Sequence, residues 1–371
     1  MLTHTNHLGS FGEFYLYNKN ENIELYNDFS KAIQCVVGSP NLNLAAINSV
    51  LNHNYIVGDL TTVKEINRTP WQAHLDAKEK RFVFHKLPIH GQKKESNSKI
   101  AQNLFNLVID ELVQEIGNKR RIGILLSGGM DSRIAAMALQ KAINDGRISV
   151  DQVVAYTWGN EDSRDYVYSK RITDHLGWNF RGYFVNSESV WQNILISAAR
   201  GAEYSGVHLH AMPAIGIDAS QEVDIVIAGS YGDSVGRAEY SGVRVEKLSN
   251  LEDKWSNWLG LFERETLKVS KQIVRDEIMN YRLNFPRDKQ YMANEVDKQC
   301  HYMRRMLNPC METINEKVPL YQIFTNPKVF GYMWSLHPEL RGDYIYLEIL
   351  RQFDDSFFYK LPWARTGIPY L

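Results

Sequence analysis

The 371-residue chain predicts a doubly wound parallel α/β sheet with a helical C-terminal part, preceded by a small α+β N-terminal domain. Three observations carry this. Apolar runs of buried-strand type at 122–126, 150–157 and 223–228 alternate with stretches of helical periodicity, the pattern of a parallel sheet covered on both faces with ligands at the carboxyl ends of its strands. Residues 122–139, IGILLSGGMDSRIAAMAL, feed a strand through a glycine-containing turn into good helix formers. Such a turn aims several backbone N–H groups at one spot beside the positive end of a helix, and that arrangement holds phosphate. Residues 1–95 lack the alternation and read as short paired strands.

Composition excludes several classes. Hydrophobic content of 44% and charged content of 23% are ordinary for a globular chain, and a net charge of −1 supplies no basic field for nucleic acid or an anionic membrane. Cys35, Cys300 and Cys310 are an odd number without metal-ligand spacing, which predicts a reducing compartment and buried thiols. No apolar run approaches the ~18 residues of a membrane span and no secretory pattern opens the chain. The expectation is a soluble, cytoplasmic protein.

Taken in order, residues 14–17 and 23–26 flank a polar stretch and predict a hairpin. Leu42, Leu44, Ile47 and Leu51 predict a short helix, and 61–66 with 81–85 a second strand pair. The polar stretch 91–98 is the domain boundary, dividing 1–95 from 96–371, with Asn97 or Ser98 as cap of the next helix. That helix, 99–116, shows an apolar face at Ile100, Leu104, Leu107, Val108, Leu112, Val113 and Ile116. After the 122–139 unit come a strand at 150–157, a helix at 165–175 ended by Gly177, a strand at 181–185, a helix at 190–200 and a strand at 223–228. From about 251 the pattern turns helical, with Trp255, Trp258, Leu259, Leu261 and Phe262 as one core-facing surface. A helix from Asp343 to about Phe353 leads into a proline-containing coil, 361–369, of a kind that packs against something.

Ser127-Gly128-Gly129-Met130-Asp131-Ser132 is not a Walker loop, since no Gly-Lys-Ser/Thr follows. Ser-Gly-Gly alone is only a strand-to-helix turn; the added Asp131-Ser132 makes it specific. Ser127, Ser132 and the loop amides can donate to a pyrophosphate group. Asp131 repels phosphate unless Mg²⁺ lies between them, and one carboxylate positions that ion poorly. Strand 223–228 ends in Ala228-Gly229-Ser230-Tyr231-Gly232-Asp233, where two glycines permit close backbone approach and Asp233 is placed to face the same ion. Between the loops, Glu203, His208 and His210 are candidates for substrate contact, as are Tyr231 and Arg237 for a carboxylate. Two histidines two positions apart make a weak metal site, and substrate or surface roles outweigh it.

With these residues the chain resembles the asparagine synthetase family of N-type ATP pyrophosphatases, which includes β-lactam synthetases. The SGGMDS run matches the family's pyrophosphate loop. Ala228 to Asp233 is similar to its second loop, usually Ser-Gly-Glu-Gly-Ala-Asp, in Gly229 and Asp233. Tyr156 to Gly159 and Glu161 to Asp165 resemble the elements flanking adenine; Val318-Pro319-Leu320 and the late Arg-Thr-Gly-Ile-Pro resemble distal landmarks. The likeness spans about residues 95–371. It implies an ATP-dependent, Mg²⁺-using carbon–nitrogen ligase in which a carboxylate attacks the α-phosphorus, AMP and pyrophosphate are formed, and ammonia or an amine takes the acyl group. Adenine would be read by main-chain groups near Leu126, Trp158 and Gly159. The partners implied are a small carboxylate and ammonia or an amine as nitrogen donor, with a separate glutaminase as one source of ammonia, and no nucleic acid or membrane.

The sequence also departs from that family. Its glutaminase domain begins with a nucleophilic Cys after the initiator Met; here Leu2 stands there, and Cys35 falls in an expected buried segment. Residues 14–90 resemble only the end of that domain, so 1–95 reads as a shortened, glutaminase-dead remnant. Arg365 takes the place of the family's late active-site lysine, with Lys360 five residues earlier. Arginine keeps the charge but is planar and always ionised, so it cannot transfer a proton. Gln322 replaces a frequent Asp. The missing glutaminase and the altered second loop point to a specialised product: a sugar acid amide, a cyclised amide or a modified peptide. A catalytically altered nucleotide-binding relic serving as a scaffold is the other reading. Nucleobase thiolation would need paired reactive cysteines.

Overall fold

The computed structural model describes residues 4–6, 8–17, 22–237, 250–251, 255–257, 260–353 and 356–368. By packing, the chain divides into two units. Unit 1 comprises Met1–Leu87, Val190–Leu209 and Lys247–Cys310; unit 2 comprises Pro88–Ser189, His210–Glu246 and Met311–Leu371.

Unit 1 opens with β1 (His4–Asn6), β2 (Phe14–Tyr17), β3 (Ile23–Tyr26), α1 (Phe29–Gln34), α2 (Leu44–His53), β4 (Asn67–Arg68), β5 (Ala73–Asp76) and β6 (Arg81–Phe84). They form two antiparallel three-stranded sheets, β3-β2-β4 and β1-β5-β6. The expected hairpin is present with Phe14 opposite Tyr26; the middle of its connection, 18–21, lies outside the described residues. Phe14 packs with Phe29, Ala32, Val63 and Ile66 in a small core. The expected strand at 61–66 is instead a turn. Thr61 Oγ1 bonds the carbonyls of Val63 and Ile66, both at 2.9 Å, so a side chain satisfies the groups a strand partner would need. Arg81–Phe84 pairs with Ala73–Asp76 instead. Cys35 is exposed at the C-cap of α1, not buried as expected.

Unit 2 begins with α3 (Asn97–Ile116). Its cap is Ser96, whose Oγ accepts the Lys99 N–H, so the helix starts a turn position earlier than Asn97 or Ser98 would allow. The expected face is buried at Ile100, Leu104, Val108, Leu112 and Ile116. Then follow β7 (Arg121–Leu125), α4 (Met130–Asn144), β8 (Gln152–Trp158), α5 (Arg164–Leu176), β9 (Asn179–Tyr183), α6 (Ser187–Ala199), most of which belongs to unit 1, α7 (Met212–Glu222) and β10 (Ile225–Ala228). The chain then returns to unit 1 for α8 (Arg264–Asn284) and α9 (Gln290–Asp297), passes to unit 2 within α10 (Asn308–Asn315), and ends unit 2 with β11 (Leu320–Gln322), α11 (Pro327–Ser335), α12 (Asp343–Phe353) and α13 (Phe357–Lys360). Residues Lys298–Leu307, between α9 and α10, are π-helical.

Strands β7 to β11 make one all-parallel sheet in the order β11-β10-β7-β8-β9. From β7 the chain adds β8 and β9 on one side, then returns to add β10 and β11 on the other. Because parallel crossovers are right-handed, connections running in opposite directions cover opposite faces, and the sheet is doubly wound. The direction reverses between β7 and β10. A crevice opens at the carboxyl ends of two strands where their connections part, which is where such sheets bind ligands.

The helical surface expected at 255–262 differs. The long helix α8 starts only at Arg264, and Leu261 is exposed. Trp255 packs with Tyr55, Val57, Val274 and Ile278 within unit 1, while Trp258 and Leu259 lie outside the described residues. Among the described residues no helix is long and apolar enough to cross a membrane.

Candidate active site

The loop between β7 and α4 is tied to itself. Ser127 and Ser132 bring their Oγ atoms to 3.0 Å, Ser132 Oγ accepts the Ser127 N–H at 3.1 Å, and Ser127 Oγ accepts the Gly129 N–H at 3.1 Å. Gly129 is the N-cap of α4 and brings no side chain to its first amides, so the positive end of the helix is left open to an anion. Asp131 lies in that first turn. Gly128 donates its N–H to Asp165 Oδ1 at 2.9 Å. Asp165, in the stretch likened to an element flanking adenine, holds this loop from the first turn of α5, behind the capping Ser163; its role as a loop partner was not expected.

The second loop leaves β10 beside β7, with Ala228 paired to Leu125 on one side and Gln322 on the other. Its two glycines pack on Asp131. A Cβ on Gly232 would lie 2.7 Å from the Cβ and Cγ of Asp131, and one on Gly229 would lie 3.2 Å from its carbonyl group. Asp233 follows directly and starts a π-helical turn, Asp233–Arg237. The backbone of Gly232, next to Asp233 in the chain, thus packs on Asp131.

Support for this loop comes from α12 and the turn after β11. Tyr346 on α12 donates its hydroxyl to Gly232 O at 3.1 Å, and its ring stacks with Phe324 at a centroid distance of 6.0 Å. Phe324 has a left-handed backbone, φ +72°. Its N–H and those of Thr325 and Asn326 converge on the Glu111 carboxylate at 3.1, 3.1 and 2.8 Å, joined by the Tyr321 hydroxyl at 2.8 Å. Successive amides around an anion make a nest. Burial pushes the Glu111 carboxyl up to about 7, against the opposing pull of Tyr321 and the three amides.

The chain's late segment reaches the first loop. Ala364 donates its N–H to Gly128 O at 3.2 Å, and a Cβ on Gly128 would meet that of Ala364 at 2.7 Å. Arg365 is exposed next to this contact, its guanidinium 5.7 Å from the ring centre of Trp363. Lys360 is exposed at the end of α13.

The remaining candidates are distributed unequally. Leu126 is buried and its N–H continues the sheet to Tyr156 O at 2.9 Å. Trp158 ends β8, its ring stacked with that of His210 at 5.7 Å, and Gly159 follows at φ +128°. Tyr231 is buried, and the side chain of Arg237 lies outside the described residues. Glu203 and His208 belong to unit 1. There Glu203 is buried and bonded to Arg68 at 2.9 Å and Arg305 at 3.4 Å, an ion pair that commits its carboxylate to packing. Burial pushes the His208 pKa down. Gln322 is buried at the end of β11. One further group in unit 1, Asp297, Cys300 and His301, has metal-like proximity. Here His301 Nδ1 accepts the Gly58 N–H at 3.1 Å and Asp297 Oδ2 bonds Arg282 at 2.7 Å, so one atom of each serves the fold.

A phosphate-type turn facing a second acidic loop across the switch point of a parallel sheet defines a nucleotide-binding α/β protein of the pyrophosphate-loop class. Residues 109–312, more than half of the chain, match the family model for asparagine synthase. The chain belongs to the asparagine synthase family. It is similar to the glutamine-hydrolysing asparagine synthetase of Homo sapiens, at 32% identity over 89 residues, 24% of this chain and 16% of that protein. A Methanocaldococcus jannaschii protein bearing the name of a glutamine-hydrolysing asparagine synthetase is 21% identical over 227 residues, 59% of this chain and 37% of that one. The chain thus spans well under half the length of these relatives. Among solved structures, the NH3-dependent NAD synthetase of Campylobacter jejuni aligns over 53% of this chain and all of its own, at 11% identity and a TM-score of 0.29.

Proposed function

We propose that the protein is an ATP-dependent, AMP-forming amide ligase for a small carboxylate. A carboxylate oxygen of the substrate attacks the α-phosphorus, the bond to the β-phosphate oxygen breaks, and pyrophosphate leaves. Ammonia or an amine then attacks the acyl carbon, AMP departs, and the nitrogen releases a proton. The observation that carries this reading is the packing of Gly232 on Asp131 at the switch point, which unites two acidic loops over the open end of α4.

In this reading Ser127, Ser132 and the amides of Gly128 and Gly129 take the pyrophosphate end of ATP. Asp131 and Asp233 would hold Mg²⁺, which when bound neutralises phosphate charge as pyrophosphate leaves. Leu126, Trp158 and Gly159 border the adenine, Ala228 and Gly229 carry the second loop, and Arg365, with Lys360 behind it, faces charge developing at the α-phosphate. His210, stacked on Trp158, and Tyr231 lie on the acceptor side. Residues 1–95 serve as a glutaminase-dead support, so nitrogen arrives as free ammonia, from a separate glutaminase, or as an amine of the substrate. A specialised amide and a cytoplasmic location complete the proposal.

ATP–pyrophosphate exchange over a panel of carboxylates with Mg²⁺ is the test. Label entering ATP with one acid supports the ligase; ATP binding by calorimetry without exchange or AMP for any acid would favour the scaffold reading.

A further inference from the structure

Arg133 follows the SGGMDS run directly and is fully buried in α4. A guanidinium loses several kcal/mol of hydration when buried, so it stays charged only where its donors are met. Here both Nη1 and Nη2 are met by main-chain carbonyls. Nη1 donates to Phe358 O at 2.9 Å and Leu361 O at 2.8 Å; Nη2 donates to Pro362 O at 3.0 Å and Gly128 O at 3.2 Å. Three of these acceptors lie in the late segment, around the C-terminal end of the one-turn helix α13, whose last carbonyls have no partner within the helix. The fourth belongs to the phosphate-type turn, and it also receives the Ala364 N–H. Arg164 Nη1 takes up the Ala364 carbonyl at 3.2 Å, so both polar backbone groups of the residue before Arg365 are held.

From this geometry we infer that Arg133 is a positioning residue: it latches the strap 357–368 onto the phosphate-type turn and thereby presents Arg365 to the phosphates. The inference rests on the ligase reading for what Arg365 does, but the latch itself is independent of it. A core arginine without this role would be replaceable by an apolar side chain of similar volume, with any loss of activity independent of Arg365. A latch predicts that removing Arg133 frees the strap and that the loss of activity passes through Arg365.

The experiment compares wild type, Arg133→Met, Arg133→Lys, Arg365→Ala and the Arg133→Met/Arg365→Ala double variant. Hydrogen exchange of peptides covering 357–368 is read alongside ATP–pyrophosphate exchange. Arg133→Met should speed exchange of the strap amides by at least about tenfold while the sheet strands stay protected. It should lower kcat by about 10²-fold with KM for ATP changed less than about threefold, and Arg133→Lys should recover part of the loss. The double variant should be no worse than the poorer single variant within about threefold, since both act through one group. Unchanged strap exchange, or losses that multiply in the double variant, would overturn the inference. Should Arg133→Met not fold, Arg133→Lys carries the same cycle. Should wild type turn over no carboxylate, the ligase reading fails, and strap hydrogen exchange alone decides the latch.

Discussion

Asp131 stands where the dipole of α4 favours its charge and where Gly232 presents bare backbone. Asparagine at 131 or 233 keeps the volume and removes the charge. Each change should lower pyrophosphate exchange by about 10²–10³-fold while the thermal midpoint moves by no more than about 2 °C. Turnover at the wild-type rate in either variant would refute the two-carboxylate cation site. Gly232→Ala makes a different demand. Its Cβ would sit 2.7 Å from Asp131 Cβ and Cγ, closer than nonbonded carbons approach, so one loop must yield. Raising Mg²⁺ should restore part of the exchange activity in this variant but not in Asp131→Asn, which a Mg²⁺ titration of both would reveal.

At the level of elements, the second loop is steadied from a distance: the Glu111 nest fixes the turn after β11, Phe324 stacks on Tyr346, and Tyr346 bonds Gly232. Tyr346→Phe keeps the ring and deletes one buried hydrogen bond, leaving Gly232 O without that donor. A cost of about 1 kcal/mol in urea unfolding is expected, with a rise of several-fold in the Mg²⁺ needed for half-maximal exchange. A stability loss without any change in Mg²⁺ response would confine Tyr346 to packing. This support was not legible in the sequence, because Glu111 and Phe324 are 213 positions apart and an isolated Glu in an amphipathic helix looks like a surface residue. Arg133 was hidden in the same way, its strap partners lying beyond position 357. What was legible obeyed short-range rules: the β7 turn and α4, the hairpin of Phe14 and Tyr26, and the Gly177 stop with φ +68°. Periodicity misled where side chains replaced strand pairing, as at Thr61, and where apolar residues came before the helix they suggested, as at Trp255.

For the whole molecule, the buried acids link stability to pH. Glu277 accepts the Asp59 N–H at 2.8 Å, and burial, with the nearby Asp59 charge, raises its pKa; Glu111 is raised as well. Between the ordinary carboxylate range and these higher values, the folded chain holds protons that the unfolded chain has released. Their contribution is therefore complete below about pH 4.5 and fades as pH climbs through 7, at up to about 1.4 kcal/mol per pH unit for each proton. Urea unfolding from pH 5 to 8 should show this decline, and Glu277→Gln should flatten it. A slope unaltered by that substitution would remove Glu277 as a source.

The division of the chain also has a consequence for how it is made. Unit 1 draws on three separate stretches, the last ending at Cys310. A ribosome releases residues 1–87 long before it has synthesised α8, which supplies Val274 and Ile278 to the cluster around Tyr55 and Val57. The early stretch must therefore wait, with part of its apolar surface uncovered, while the parallel sheet is still being translated. Vectorial synthesis thus gives this family member a late-closing first unit.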